Sequence, residues 1–148
     1  MKKINYFILL FFCLLTLTSC NKLKSYSASS GKDFIDEIYS YIDSEKDYLL
    51  IDVRSIDEYA SGHFFGFTNY DIDKGSVDEF VYKISSMHSK KKAIFIVDKD
   101  GSNVESLGNA LKDAGYKKVY IYLDGYTELS KNNENDFSIV TGTSDCEC

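Results

Sequence analysis

Proline and tryptophan are absent from this chain, while tyrosine is abundant at 12 residues. No functional reading attaches to either fact. Excess positive charge is also lacking. The formal net charge is −6, which excludes the electrostatic footprint that nucleic-acid binding needs. No apolar run reaches the ~20 residues that cross a bilayer as a helix; the run from Tyr6 to Leu15, YFILLFFCLL, has ten. Cysteine is scarce. Of the four present, none lies between Cys20 and Cys146, so the middle of the chain has no thiol nucleophile. What remains is an ordinary globular balance, 44% hydrophobic and 27% charged in 148 residues, which suits one domain.

The short apolar run follows Lys2 and Lys3 and ends in Leu17-Thr18-Ser19-Cys20. Basic start, short apolar core and small residues make residues 1–19 a signal peptide. With the cysteine directly after them, the pattern resembles the bacterial lipoprotein signal. That resemblance implies cleavage before Cys20 and lipidation of its thiol. The mature chain would be held extracytoplasmically at a bacterial membrane, where disulfides persist. Two or more acyl chains anchor stably, whereas one does not. Taking Lys2 and Lys3 from the formal −6 leaves −8, so the net charge offers nothing to anionic headgroups and the lipid alone is expected to hold the protein. Residues 20–30 read as a polar tether, with a short strand around Tyr26.

Helical spacing of Phe34, Ile35, Ile38, Tyr41 and Ile42 predicts a helix from Asp33. Tyr48–Val53 reads as a buried strand, Ser55–Ala60 as a helical turn, and Gly66–Tyr70 as a short strand. Ser76 and Glu79 have capping-box spacing, with Val77, Phe80, Val81, Ile84 and Met87 as the inner face of the helix that follows. Ala93–Val97 is a third apolar strand. Ser102 and Glu105 repeat the capping-box spacing before a helix built on Val104, Leu107, Leu111 and Ala114. Gly115 ends that helix as a left-handed cap, and Lys118–Leu123 is a further strand. Strands that are apolar on both faces and alternate with helices make an α/β fold with a small parallel sheet flanked by helices on both faces. Such sheets place ligands at strand carboxyl ends, beside helix N-termini. The stretch Asp98-Lys99-Asp100-Gly101-Ser102-Asn103 is in that position.

Tyr48–Ile72 contains Asp52-x-Arg54, then Glu58-Tyr59-x-x-Gly62-His63, then Gly66-x-x-Asn69. This combination resembles the opening motif of rhodanese-like domains. Further on, Ala114–Tyr120 resembles that family's approach to its last strand, and Asp124-Gly125 stands where the family usually has a glycine pair. The resemblance covers residues 24–140, leaving 141–148 as a flexible tail. It implies an active-site loop directly after Ala93–Val97. In active members that loop begins with a cysteine that carries sulfane sulfur as a persulfide, includes a glycine, and often carries an arginine. Here Asp98 holds the cysteine's position, Gly101 is retained, and Asn103 falls where the arginine would be. A carboxylate cannot accept sulfane sulfur as a thiolate does. The expectation is therefore a domain without sulfurtransferase activity. Asp98 would fill the anion cradle itself, accepting the loop N–H groups at a helix N-terminus. Following the family, Asp52, Arg54 and Glu58 form a buried pairing network, and His63 orients its turn by hydrogen bonding.

The same residues fit other chemistries less well. Asp98-Lys99-Asp100-Gly101 also looks like the first motif of haloacid dehalogenase-type phosphatases, where the first aspartate is the nucleophile and both carboxylates place magnesium. Only 47 residues follow Gly101, too few for the rest of that fold. An EF-hand loop needs glycine at position 6 and glutamate at position 12, and neither is in place. No metal or cofactor is expected. His88 and Lys90–Lys92 read as an exposed, solvated turn. Cys146 and Cys148 form a Cys-x-Cys pair able to close a strained, reducible disulfide. Two roles stay open for the chain: a binding module for a protein partner in the cell envelope or a small ligand, or a sulfane-sulfur carrier working through Cys146 and Cys148.

Overall fold

The computed structural model describes residues 23–134 and 136–143. The signal segment, the proposed lipidation site Cys20 and the Cys146/Cys148 pair lie outside the described residues. Five parallel strands form one sheet: β1 (Lys24–Tyr26), β2 (Tyr48–Asp52), β4 (Thr68–Asn69), β5 (Ala93–Val97) and β6 (Val119–Tyr122), in the order β1-β6-β5-β2-β4. A separate antiparallel pair joins β3 (His63–Phe64) to β7 (Ile139–Val140). The helices are α1 (Gly31–Asp43), α2 (Ile56–Ser61), α3 (Val77–Met87), α4 (Val104–Asp113) and α5 (Gly125–Lys131), with 3₁₀ turns at Ala28–Ser30 and Ile72–Lys74.

Period-two alternation of β5 divides the core. Ala93, Phe95 and Val97 face α1 and α5, where Phe34, Ile35, Ile38, Tyr41 and Leu129 pack against them. Ile94 and Ile96 face α3 and α4, where Phe80, Ile84, Val104, Leu107 and Leu111 close the opposite layer. All five β5 side chains are fully buried, as a central strand covered on both faces requires. Each buried Ile, Val or Phe contributes about 1.5–3 kcal/mol by leaving water. This double burial fixes β5 in register between β2 and β6, and so fixes where the loop after Val97 emerges.

Local signals placed most of the elements. Ser76 caps α3 by accepting the Glu79 N–H at 3.2 Å, while Glu79 accepts the Ser76 N–H at 2.8 Å. Gly115 (φ 98°) ends α4, its N–H donating to the Lys112 carbonyl at 2.9 Å. Three readings need correction. Met87 is 58% exposed because it ends the last turn of α3 and lies beyond the core. The helix predicted from Asp33 begins two residues earlier, at Gly31, after the 3₁₀ turn. The Ser102–Glu105 spacing does not cap α4: the N-cap residue is Asn103, with no side-chain cap bond. The Ser102 side chain is drawn to Asp98 instead. The same Ser-x-x-Glu spacing at Ser55–Glu58 does cap α2, the Ser55 hydroxyl accepting the Glu58 N–H at 3.4 Å. At the carboxyl end, the Gly142 N–H donates to the Ala60 carbonyl at 2.8 Å, which ties the chain to α2 just before the undescribed cysteines. Among the described residues, no helix is long and apolar enough to cross a membrane.

Candidate functional site

The loop from Asp98 to Asn103 leaves β5 and turns directly into α4. Asp98 is 3% exposed, and its carboxylate points back into its own loop. Oδ1 accepts the Lys99 N–H at 2.7 Å. Oδ2 accepts the Asn103 N–H and the Asn103 Nδ2–H, both at 3.0 Å, with the Ser102 hydroxyl at 3.5 Å. Two of the loop's backbone donors, the N–H groups of Lys99 and Asn103, thus converge on a side chain of the loop itself. Asp100 turns outward and accepts the Ser102 N–H at 3.0 Å; hydrogen bonding from Ser102 holds its carboxyl below the usual aspartate range.

Two glycines allow the loop to lie against the turn between β6 and α5. Gly101 has φ 83°, and a Cβ there would sit 1.6 Å from the Leu123 carbonyl oxygen. Gly125 has φ 77°, and a Cβ there would sit 2.1 Å from the Lys99 carbonyl oxygen. The Tyr126 N–H completes the contact by donating to the Asp98 carbonyl at 2.7 Å. Backbone packed on backbone leaves the loop little room to rearrange.

Arg54 and Asp52 form a buried pair beneath the loop. The Arg54 Nη2 donates to Asp52 Oδ2 at 2.6 Å and to the Gly62 carbonyl at 2.9 Å, and Nε donates to both Asp52 oxygens at 3.0 Å. Tyr126 stacks on the guanidinium, 3.5 Å from its ring centroid to Arg54 Cζ. Asn69 Nδ2 clamps the strand end, donating to the Asp52 and Arg54 carbonyls at 3.1 and 2.8 Å. His63 is fully buried; its Nδ1 is 2.9 Å from the Tyr59 carbonyl and its ring stacks on Tyr59 at 3.6 Å. Glu58 does not join Asp52 and Arg54. It reaches across the loop mouth to Lys99, 2.5 Å away, because α2 points it at solvent. The Lys99 ammonium holds the Glu58 carboxyl below its usual range, and Glu58 raises Lys99 in return.

Arg54, Glu58, Asp73, Asp98, Lys99 and Asn103 border a cavity of about 160 Å³. Arg54 is neutralised by Asp52 and Lys99 by Glu58, so Asp73, Asp98 and Asp100 leave the cavity negative. Among the described residues, no group of three or more His, Cys, Asp and Glu side chains is arranged to hold a metal. The sequence reading missed Asp73 and Tyr126 at this site. Both arrive from elements remote in sequence, and no local pattern marks them.

A family model described as a rhodanese-like domain matches residues 35–132, well over half of the chain. This protein belongs to the rhodanese-like domain family. Its fold is that of the solved rhodanese-like domain of protein Alr3790 from Anabaena (TM-score 0.57, 18% identity, 80% of each chain), and it is also similar to that of protein BH2092 from Bacillus halodurans (TM-score 0.55, 15% identity, 94% of this chain and 87% of that one). At such identities the likeness concerns the fold alone. In sequence the chain is 28% identical over 93 residues to the uncharacterized protein YibN of Escherichia coli strain K12. The match covers 61% of each of the two chains, so this chain spans about 61% of the length of the curated relative.

Proposed function

We propose that this is a lipoprotein held extracytoplasmically at a bacterial membrane through Cys20, whose rhodanese-like domain has no thiosulfate sulfurtransferase activity and works as a binding module. The occupied loop carries this reading. Asp98 stands where active members have a cysteine, and its carboxylate takes the N–H groups of Lys99 and Asn103. Negative charge around the cavity opposes thiosulfate further. At ~4 Å and an effective dielectric of ~20, each like-charge contact disfavours entry by up to about 4 kcal/mol before screening. A neutral or cationic group, on a protein partner or a small ligand, fits the negative mouth better than an oxyanion does.

A second reading makes Cys146 and Cys148 a sulfane-sulfur carrier. The bond from the Gly142 N–H to the Ala60 carbonyl favours it, since it holds Gly142 against α2, whose Glu58 borders the cavity. Intact-mass spectrometry separates the two. The chain without residues 1–20 is incubated with thiosulfate, alongside an Asp98→Cys variant and a Cys146→Ser/Cys148→Ser variant. The binding-module reading expects no added sulfur on the native chain and an added sulfur on Asp98→Cys. A sulfur gained by the native chain and lost in the double-serine variant would overturn it in favour of the tail.

A further inference from the structure

We propose that the amino ends of the sheet strands form a lysine-rich surface that lies on anionic phospholipid headgroups and turns the Asp98 cavity away from the membrane. The proposal rests on the reading of Cys20 as the lipid anchor and adds an orientation and a second contact to it. Every strand of the main sheet runs parallel to its neighbours. Their amino ends therefore gather at one pole, and the loop after β5 opens at the other. β1 enters at the amino pole, starting at Lys24.

There is almost no slack before β1. Leu23 already packs on α4 and β6; a Cβ on Gly108 would be 2.8 Å from Leu23 Cδ1, and Ile121 lies against the same position. Only Asn21 and Lys22 separate Leu23 from Cys20. Chain geometry limits the separation of those two Cα atoms to roughly 11 Å. A lipid on Cys20 thus brings the amino pole within about one Debye length, ~10 Å at 0.1 M salt, of the headgroups.

That pole is basic although the protein is acidic. Two adjoining turns, residues 88–92 and 114–118, carry Lys90, Lys91, Lys92, Lys117 and Lys118 and no carboxylate. Buried Tyr116 joins the turns, its hydroxyl donating to the His88 carbonyl at 2.8 Å. Lys90 stands over the Tyr116 ring at 4.3 Å. Lys118 and Lys46 stand at 5.5 and 5.6 Å from one ring, that of Tyr41, so Lys46 belongs to the same patch. Asp43, Glu45, Asp47 and Asp113 are also at this pole. Among the described residues, however, ion pairs within 4 Å form at other lysines and none at these six. The opposite pole holds Asp57, Asp71, Asp73, Asp98, Asp100 and Asp124. Six lysines against those four carboxylates leave the first pole net positive by two, so an anionic leaflet attracts it and repels the second, each net positive charge near such a surface raising the bound population roughly five-fold.

The test uses the full lipidated protein in vesicles of phosphatidylcholine, alone or with part replaced by phosphatidylglycerol. Flotation reads the anchor, and amine acylation followed by mass spectrometry reads the face. The expected result is flotation with both vesicles. Acylation of Lys90, Lys91, Lys117 and Lys118 should be several-fold slower on phosphatidylglycerol, with the protection lost at high salt and Lys32, Lys74 and Lys99 unchanged. A Lys90→Gln/Lys91→Gln/Lys117→Gln/Lys118→Gln variant should float normally yet lose the protection of Lys46. Equal reactivity on both vesicles, with the protein afloat, would overturn the proposal and leave the anchor reading intact. Protection by soluble polyaspartate but not by phosphatidylglycerol would also overturn it, assigning the patch to an acidic protein. Flotation with phosphatidylglycerol alone would refute the anchor and keep the surface; flotation with neither refutes both.

Discussion

Replacing Asp98 with alanine tests whether the loop is held by its own side chain. The carboxylate is 3% exposed and accepts two backbone N–H groups, at 2.7 and 3.0 Å, plus the Asn103 side chain at 3.0 Å. Hydrogen bonds to a charged group contribute about 1.5–3 kcal/mol each, so the two backbone bonds alone suggest about 3–6 kcal/mol. Water entering from the adjoining cavity re-satisfies part of that, and the carboxylate's own desolvation is relieved. A net loss of about 2–3 kcal/mol is expected. For a domain of this size that is on the order of a 6–12 °C drop in Tm. Urea unfolding should show a lower midpoint at unchanged slope, since little exposed surface changes. Asp98→Asn keeps one acceptor oxygen but turns an NH2 donor toward the N–H groups the other oxygen held, so it should not rescue the loss. An Asp98→Ala domain as stable as the native one, or more stable, would mean that desolvation outweighs the hydrogen bonds and that the carboxylate does not hold the loop.

Arg54→Ala leaves Asp52 charged, buried and unpaired, and should cost about 3–5 kcal/mol by thermal melting; Arg54→Lys should rescue little, because an ammonium cannot reproduce the two-nitrogen fork on Asp52 or the stacking on Tyr126. Gly101→Ala and Gly115→Ala both place alanine at positive φ, but only the first drives a Cβ into backbone. Gly115→Ala should therefore lose about 1 kcal/mol and Gly101→Ala several, and equal losses in urea unfolding would show that the loop is not packed against Leu123. Glu58 has a depressed folded-state pKa, chiefly through Lys99, so its stabilisation is present above its unfolded value of ~4.3 and is lost as pH falls through the folded value. Carboxylate NMR titration should show the Glu58 pKa rising in Lys99→Ala. The effect on stability should be small, because Lys99 is exposed and solvent screens the pair.

Short-range patterns made the elements readable: the unbroken apolar run of β5, the Ser76–Glu79 cap, and the glycine that ends α4. The same reasoning failed at Ser102, where a correct capping spacing met a stronger local competitor, the Asp98 carboxylate. The family resemblance misled at Glu58, which it assigned to the Asp52–Arg54 pair but which pairs with Lys99 instead. Local spacing names the groups able to bond, yet it does not rank partners brought from other elements.

The sequence by itself determined the parallel α/β layering, because strands apolar on both faces have no other stable cover. It also determined that the loop carries no thiol, since no cysteine lies between Cys20 and Cys146. Only the tertiary structure decided what Asp98 does there, which acids remain unneutralised around the cavity, and that lysines from separate turns share the pole where β1 enters. Those are sums over groups far apart in the chain. A net charge of −6 has no direction until folding gives each charge a place.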